Sequence, residues 1–275
     1  MTRSVRRTRR MLQVAGAGAA ALLALSACSS SSDSKSKDTS ASSGSSSSPK
    51  LSGNVTVFAA ASLKESFTAL GKEFEQQHPG TKVNFNFGGS DTLAASITGG
   101  APADVFAAAS PKTMAIVTGK KDAVGTPATF VRNQLEIATL PGNPDKVSSL
   151  KDLTKSGLKV VLCDKTVPCG AAAQKVLAAS GLKLTPVSYE QDVKSALNKV
   201  ELKEADAAVV YKTDVHAAGS KVAGVEFPES AKAVNDYPVV LLKNAPNAQA
   251  AQAFIALVRS AEGQKVLSQA GFLKP

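Results

Sequence analysis

Between Asn54 and Ala270, short apolar runs alternate with apolar stripes of helical period. Asn54–Ala60 (NVTVFAA), Val83–Phe87, Ala103–Ala108 (ADVFAA), Leu135–Thr139, Lys159–Cys163, Ala207–Tyr211 and Pro238–Leu242 read as strands. Helices are predicted over Leu63–Gln77, Asp91–Ile97, Gly170–Ala179, Val193–Leu202, Ala248–Ser260 and Glu262–Ala270. The first of these ends at His78-Pro79-Gly80. Ser110-Pro111 opens one more, with serine as cap and proline in the first turn. Such alternation with short links predicts an α/β protein built on parallel sheets covered by helices. Two helices after the last strand suggest that the chain returns to a domain it began earlier. No internal repeat is visible in the sequence.

The first 50 residues follow no such pattern. Arg3, Arg6, Arg7, Arg9 and Arg10 precede an apolar run from Met11 to Leu25 that is too short and too rich in Ala and Gly to span a bilayer comfortably. Leu25-Ser26-Ala27-Cys28 resembles the bacterial lipobox, in which the cysteine is lipidated and cleavage falls before it. Residues 29–48 contain 13 serines, cannot bury a core and read as a tether. The expected layout is therefore a lipoprotein signal peptide (1–27), a lipidated Cys28 with its Ser-rich tether (28–50), and a globular part (51–275). Thr8-Arg9-Arg10-Met11-Leu12 also resembles a weak twin-arginine signal, so two export routes stay open. The leader changes how charge is read. Its five arginines supply half of the formal net charge of +10, and the remainder does not mark a nucleic-acid binder. A hydrophobic fraction of 43% excludes intrinsic disorder, and three cysteines exclude a disulfide-built miniature.

Candidate chemistry gathers at three turns where a strand meets a helix. They are Ala59-Ala60-Ala61-Ser62, Gly88-Gly89-Ser90 and Val167-Pro168-Cys169-Gly170. In open α/β sheets ligands sit beyond the carboxyl ends of the strands, where helix N-termini supply unpaired N–H groups and the positive end of a dipole. Three such turns converging would make an anion site needing no cationic side chain. Ser62 and Glu65 also have capping-box spacing. Past the leader only Arg132 and Arg259 remain, which leaves little for an arginine clamp on a carboxylate or phosphate. The absence of Trp disfavours a sugar-stacking cleft. An enzyme finds no support: there is no Gly-x-Ser-x-Gly, Walker A or dinucleotide fingerprint, and His78 and His216 lack catalytic or metal-ligating spacing. In an exported chain, Cys163 and Cys169 predict a disulfide, with a metal pair as the alternative.

Phe58-Ala59-Ala60-Ala61-Ser62-Leu63 resembles the first motif of the molybdate-binding proteins, the substrate-binding lipoproteins of molybdate ABC importers. Gly88-Gly89-Ser90-Asp91 and the following Gly100-Ala101-Pro102-Ala103-Asp104 resemble their second, and Val167-Pro168-Cys169-Gly170 their third. Glu204-Ala205-Asp206 with Val210-Tyr211, and the late strand Tyr237–Leu242, are similar in the same order. The chain departs from the pattern twice: Gly89 stands where serine is usual, and Asp91 where glycine is common.

The resemblance implies a two-lobed, type II periplasmic-binding-protein fold, each lobe a mostly parallel sheet flanked by helices, with lobes at 51–131 plus 237–275 and at 132–236. The ligand would be molybdate or tungstate, with sulfate or phosphate as alternatives. Ser62 and Ser90 would each give a hydroxyl and a backbone N–H, Cys169 and Val193 a backbone N–H, and Tyr211 its phenol. Asp91 would have to point away from the anion. No cofactor and no metal cation site are implied, molybdenum being bound only as its oxyanion. The partners implied are the permease subunits of an importer and the membrane, through lipid on Cys28, with the protein monomeric on the extracytoplasmic face of the cell membrane.

Overall fold

The computed structural model describes residues 50–275; the leader, Cys28 and nearly all of the tether lie outside the described residues. The chain first lays down β1 (Gly53–Ala60), α1 (Lys64–Gln77), β2 (Thr81–Gly88), α2 (Ser90–Thr98), β3 (Val105–Ala107), α3 (Pro111–Gly119) and β4 (Ala123–Asn133). It then crosses to a second sheet through β5 (Leu135–Thr139), β6 (Val160–Cys163), α4 (Pro168–Ala179), β7 (Ser188–Glu190), α5 (Val193–Glu201), β8 (Ala207–Tyr211), α6 (Lys212–Ala218) and β9 (Ala223–Val225). Finally β10 (Asn235–Leu242), α7 (Ala248–Arg259) and α8 (Ala261–Gln269) rejoin the first sheet, as the late helices suggested.

Two five-stranded sheets result, ordered β2-β1-β3-β10-β4 and β7-β6-β8-β5-β9. Both are mixed. In each, four strands run one way and a single strand, β10 or β5, runs against its neighbours. The reversed strand is the one entered from the other sheet, so no βαβ crossover imposes its direction. The orders match position for position, so the fold repeats although the sequence shows no repeat.

Central strands are buried on both faces, which is why they read as apolar runs. In β1, Val55, Val57 and Ala59 pack under α1 and α7, while Phe58 faces the opposite core with Leu93, Phe106 and Met114. A third core fills the second sheet around Ile137, Leu162, Val176 and Val209. Motif aspartates tie the strands at their amino ends. Asp104, 1% exposed, accepts from Thr56 N (2.7 Å) and Asn247 N (2.6 Å). Asp206 likewise accepts from Lys159 N at 2.7 Å. Both precede a central strand and complete the ladder beside it, a structural duty far from the turns at the other end.

Four elements carry weak sequence signals. β4 lies at a sheet edge, is exposed over its first half and contains Gly125 and Pro127, a composition tolerated only at edges. β7 and β9 are three-residue edge strands, and α6 is a seven-residue helix that follows β8 without a loop.

Candidate functional site

The three turns converge. With the start of α5 they line a cavity of about 20 Å³ that includes all five expected residues: Ser62, Ser90, Cys169, Val193 and Tyr211. A drug-sized ligand takes roughly 300–1,000 Å³, whereas this volume suits a single small ion. No lysine, arginine or histidine among the described residues lines it.

Four helical turns aim their N-termini at the cavity. Ser62 sits within a 3-10 turn (Ala61–Leu63) that joins β1 to α1. Ser90 is the first residue of α2, Cys169 the second of α4 after Pro168, and Val193 the first of α5. First-turn N–H groups have no partner inside their own helix and point along its axis, so each contributes a donor without a side-chain charge. Pro168 at the start of α4 costs nothing there, because its missing N–H would have been unpaired anyway.

The hydroxyls are oriented by neighbours. Ser90 Oγ accepts from Ala109 N at 3.0 Å, leaving its own proton to donate. Tyr211 OH accepts from Asn235 Nδ2 at 2.8 Å, and the Tyr237 ring lies edge-on beside it. Ser62 Oγ and Tyr237 OH share a hydrogen bond of 2.8 Å, and Asn133 Nδ2 approaches Tyr237 OH at 3.4 Å. Both tyrosines are buried, and burial pushes their phenols above the ordinary range, so they remain neutral donors. Asn133, Asn235 and Tyr237 carry no local sequence signal for this role. They act from the end of β4 and the start of β10, the two strands of the first sheet by which the chain leaves for the second and returns.

The structure replaces the capping-box reading of Ser62. Among the described residues no side chain caps α1, since Ser62 lies one turn ahead of the helix and is engaged by Tyr237. Glu65 pairs instead with Lys194 at 2.9 Å.

Gly89 has a steric reason. A Cβ there would lie 2.6 Å from the Gln191 carbonyl oxygen, which comes from the other sheet. Asp91 is not among the residues lining the cavity; its Oδ1 is buried without a hydrogen-bond partner among the described residues. Asp192 does line the cavity, but its carboxylate caps α5, accepting from Ser195 N at 2.9 Å and Ser195 Oγ at 3.2 Å. Cys163, closing β6, is disulfide-bonded to Cys169 with their Cα atoms 5.8 Å apart. No group of three potential metal-ligating side chains occurs among the described residues.

Two sheets whose loops meet over one small cavity define the class: a two-lobed binding protein that holds its ligand in the cleft. The family described as bacterial extracellular solute-binding protein matches residues 55–273. The chain is 44% identical over 222 residues to the molybdate-binding protein ModA of Mycobacterium tuberculosis H37Rv, covering 81% of this chain and 85% of that protein. The molybdate-binding protein ModA of Escherichia coli K12 is 30% identical over 233 residues, covering 80% and 89%. Among solved structures, the periplasmic molybdate-binding protein of Azotobacter vinelandii has a TM-score of 0.71 at 22% identity, covering 80% of this chain and 99% of that one. The chain belongs to the bacterial extracellular solute-binding protein family, in its ModA group.

Proposed function

We propose that this protein captures molybdate or tungstate outside the cytoplasmic membrane and hands it to the permease subunits of an ABC importer. The observation that carries the reading is the cavity itself, single-ion sized and lined by helix N-termini and hydroxyls with no positive side chain. Removing a dianion from water is costly unless its oxygens receive donors. Here Ser62 and Ser90 each offer an N–H and a hydroxyl, Cys169 and Val193 an N–H, and Tyr211 a phenol. A fully ionised oxyanion suits such a set. Phosphate at neutral pH carries a proton that needs an acceptor, and the one lining carboxylate, Asp192, is already occupied by Ser195. Sulfate remains the second reading. It is favoured by a fold shared with the sulfate-binding protein SubI of Mycobacterium tuberculosis (TM-score 0.68, 18% identity, covering 80% of this chain and 86% of that one).

Capture works by closure of two lobes, residues 51–131 with 237–275 and residues 132–236, about the strands that connect them. Lipid on Cys28 and the tether to residue 50 keep the monomeric binding domain near its importer. The role is transport without catalysis. Ser62→Ala tests the site. Loss of one charge-assisted hydrogen bond of about 1.5–3 kcal/mol should weaken molybdate binding roughly tenfold to a hundredfold by titration calorimetry. Binding within about twofold of wild type would overturn the assignment.

A further inference from the structure

A charged triad lies beside the cavity without lining it. Lys194 is the second residue of α5, directly after Val193. Its Nζ is 3.1 Å from Asp214 Oδ1 and 2.9 Å from Glu65 Oε2. The two partners differ in kind. Asp214 belongs to the same sheet unit as Lys194, is fully buried, and accepts from Tyr211 N through Oδ2 at 3.3 Å. Glu65 stands in the first turn of α1, on the other sheet unit and three residues after Ser62, and half of its side chain is exposed. One contact is therefore internal to a lobe, and the other spans the cleft.

This asymmetry makes Lys194 a prepared clasp. A buried carboxylate left without a counter-charge is strongly unfavourable, so Asp214 holds Lys194 from within its own sheet unit. The lysine side chain is only 19% exposed with both partners in place. Exposed ion pairs contribute little largely because two long side chains must be fixed together; here one already is. Burial works against the Lys194 charge, but Asp214 and Glu65 outweigh it and hold its pKa above the ordinary lysine value. Asp214, pushed up by burial and drawn down by Lys194, lies at about 6 and is ionised at neutral pH. The charged groups facing Lys194 are Glu65 from α1 and Asp214 from α6.

Building on the capture mechanism above, we propose that Lys194 is a positioning residue for lobe closure. Anchored on Asp214, it clasps Glu65 across the closed cleft and slows release of the bound anion. The pair forms only as the cleft shuts, so it acts on dissociation and hardly on entry. Through Asp214 the same clasp steadies the start of α6, where Tyr211 presents its phenol to the cavity.

The test is molybdate association and dissociation by stopped-flow tyrosine fluorescence on the mature chain, comparing wild type with Glu65→Gln, Lys194→Met, Lys194→Arg and the Glu65→Gln/Lys194→Met double variant. Glu65→Gln is the decisive variant because its half-exposed side chain is not needed for folding. It should speed dissociation about three- to fivefold, leave association within about twofold, and leave ligand-free thermal stability unchanged. High salt should reduce the difference. Lys194→Arg should retain slow release, and the double variant should release no faster than Lys194→Met alone. A wild-type protein that binds molybdate while Glu65→Gln changes dissociation by less than about 1.5-fold would overturn the clasp alone. A wild-type protein that gives no molybdate signal would overturn the functional reading, and the clasp with it.

Discussion

Ser62, Ser90, Cys169, Val193 and Tyr211 were legible because each sits in or beside a short motif at a strand end, and all five line one cavity. Their supporting residues were not. Tyr237 and Asn235 reach the site across 175 and 24 positions of sequence, to Ser62 and Tyr211, so the local pattern, which marks Tyr237 only as the start of a strand, does not reveal these contacts. Asn235 should matter nearly as much as the residues it orients. Asn235→Ala leaves Tyr211 OH without its donor, and calorimetry should show molybdate affinity reduced about tenfold. Glu136 gives a prediction away from the cleft. It is 8% exposed, and burial, aided by Glu226 and opposed by Lys212, pushes its pKa up to about 7. A carboxyl whose native pKa is raised binds its proton more tightly folded than unfolded. Its contribution is favourable at low pH and is lost as pH rises from about 4.5 to about 7. Glu136→Gln should therefore raise thermal stability at pH 8, by on the order of 2–3 kcal/mol, and change little at pH 4. Melting curves at both pH values check this.

At the scale of elements, the disulfide and the crowded start of α4 belong together. The bond joins the end of β6 to the second residue of α4, fixing the N–H that Cys169 turns toward the cavity. Gly170 follows because a Cβ there would collide with the backbone carbonyls of Asp164 and Cys163. Closing this short loop should stabilise the fold by about 2 kcal/mol on the chain-entropy view. Cys163→Ser/Cys169→Ser should lose that stability and weaken anion binding as well, since the turn is no longer held. Thiol labelling of the unreduced wild-type protein should find both cysteines closed. Element boundaries followed the sequence where both faces of a strand are buried, as in β1, β5 and β8, whereas β3 is three residues, Val105–Ala107, against the six expected. They were lost at edges, where β4, β7 and β9 have little apolar surface to announce them.

At the scale of the molecule, two sheets of identical order each accept one reversed strand at the point where the chain crosses over. The sequence implied parallel sheets because strand direction is set by which sheet the chain enters, something composition does not encode. The two halves of the site meet through contacts between the two sheet units. Gly89 meets Gln191, Lys194 meets Glu65, and Asn235 bridges the Ala109 and Pro168 carbonyls at 3.0 and 3.4 Å. Gly89→Ala should fold normally but hold the lobes apart, weakening molybdate binding at least about tenfold without lowering ligand-free stability.

Thermal unfolding of the mature protein with molybdate, tungstate, sulfate or phosphate at 1 mM asks whether the cavity is built for a fully ionised tetrahedral oxyanion. A ligand present at 1,000 times its dissociation constant adds about 4 kcal/mol, a shift on the order of 10 °C for a domain of this size. Molybdate and tungstate should each give such a shift and phosphate a far smaller one, while a shift with sulfate in place of molybdate would favour the second reading. An equal or larger shift with phosphate, or none with any fully ionised oxyanion, would contradict this assignment of the cavity.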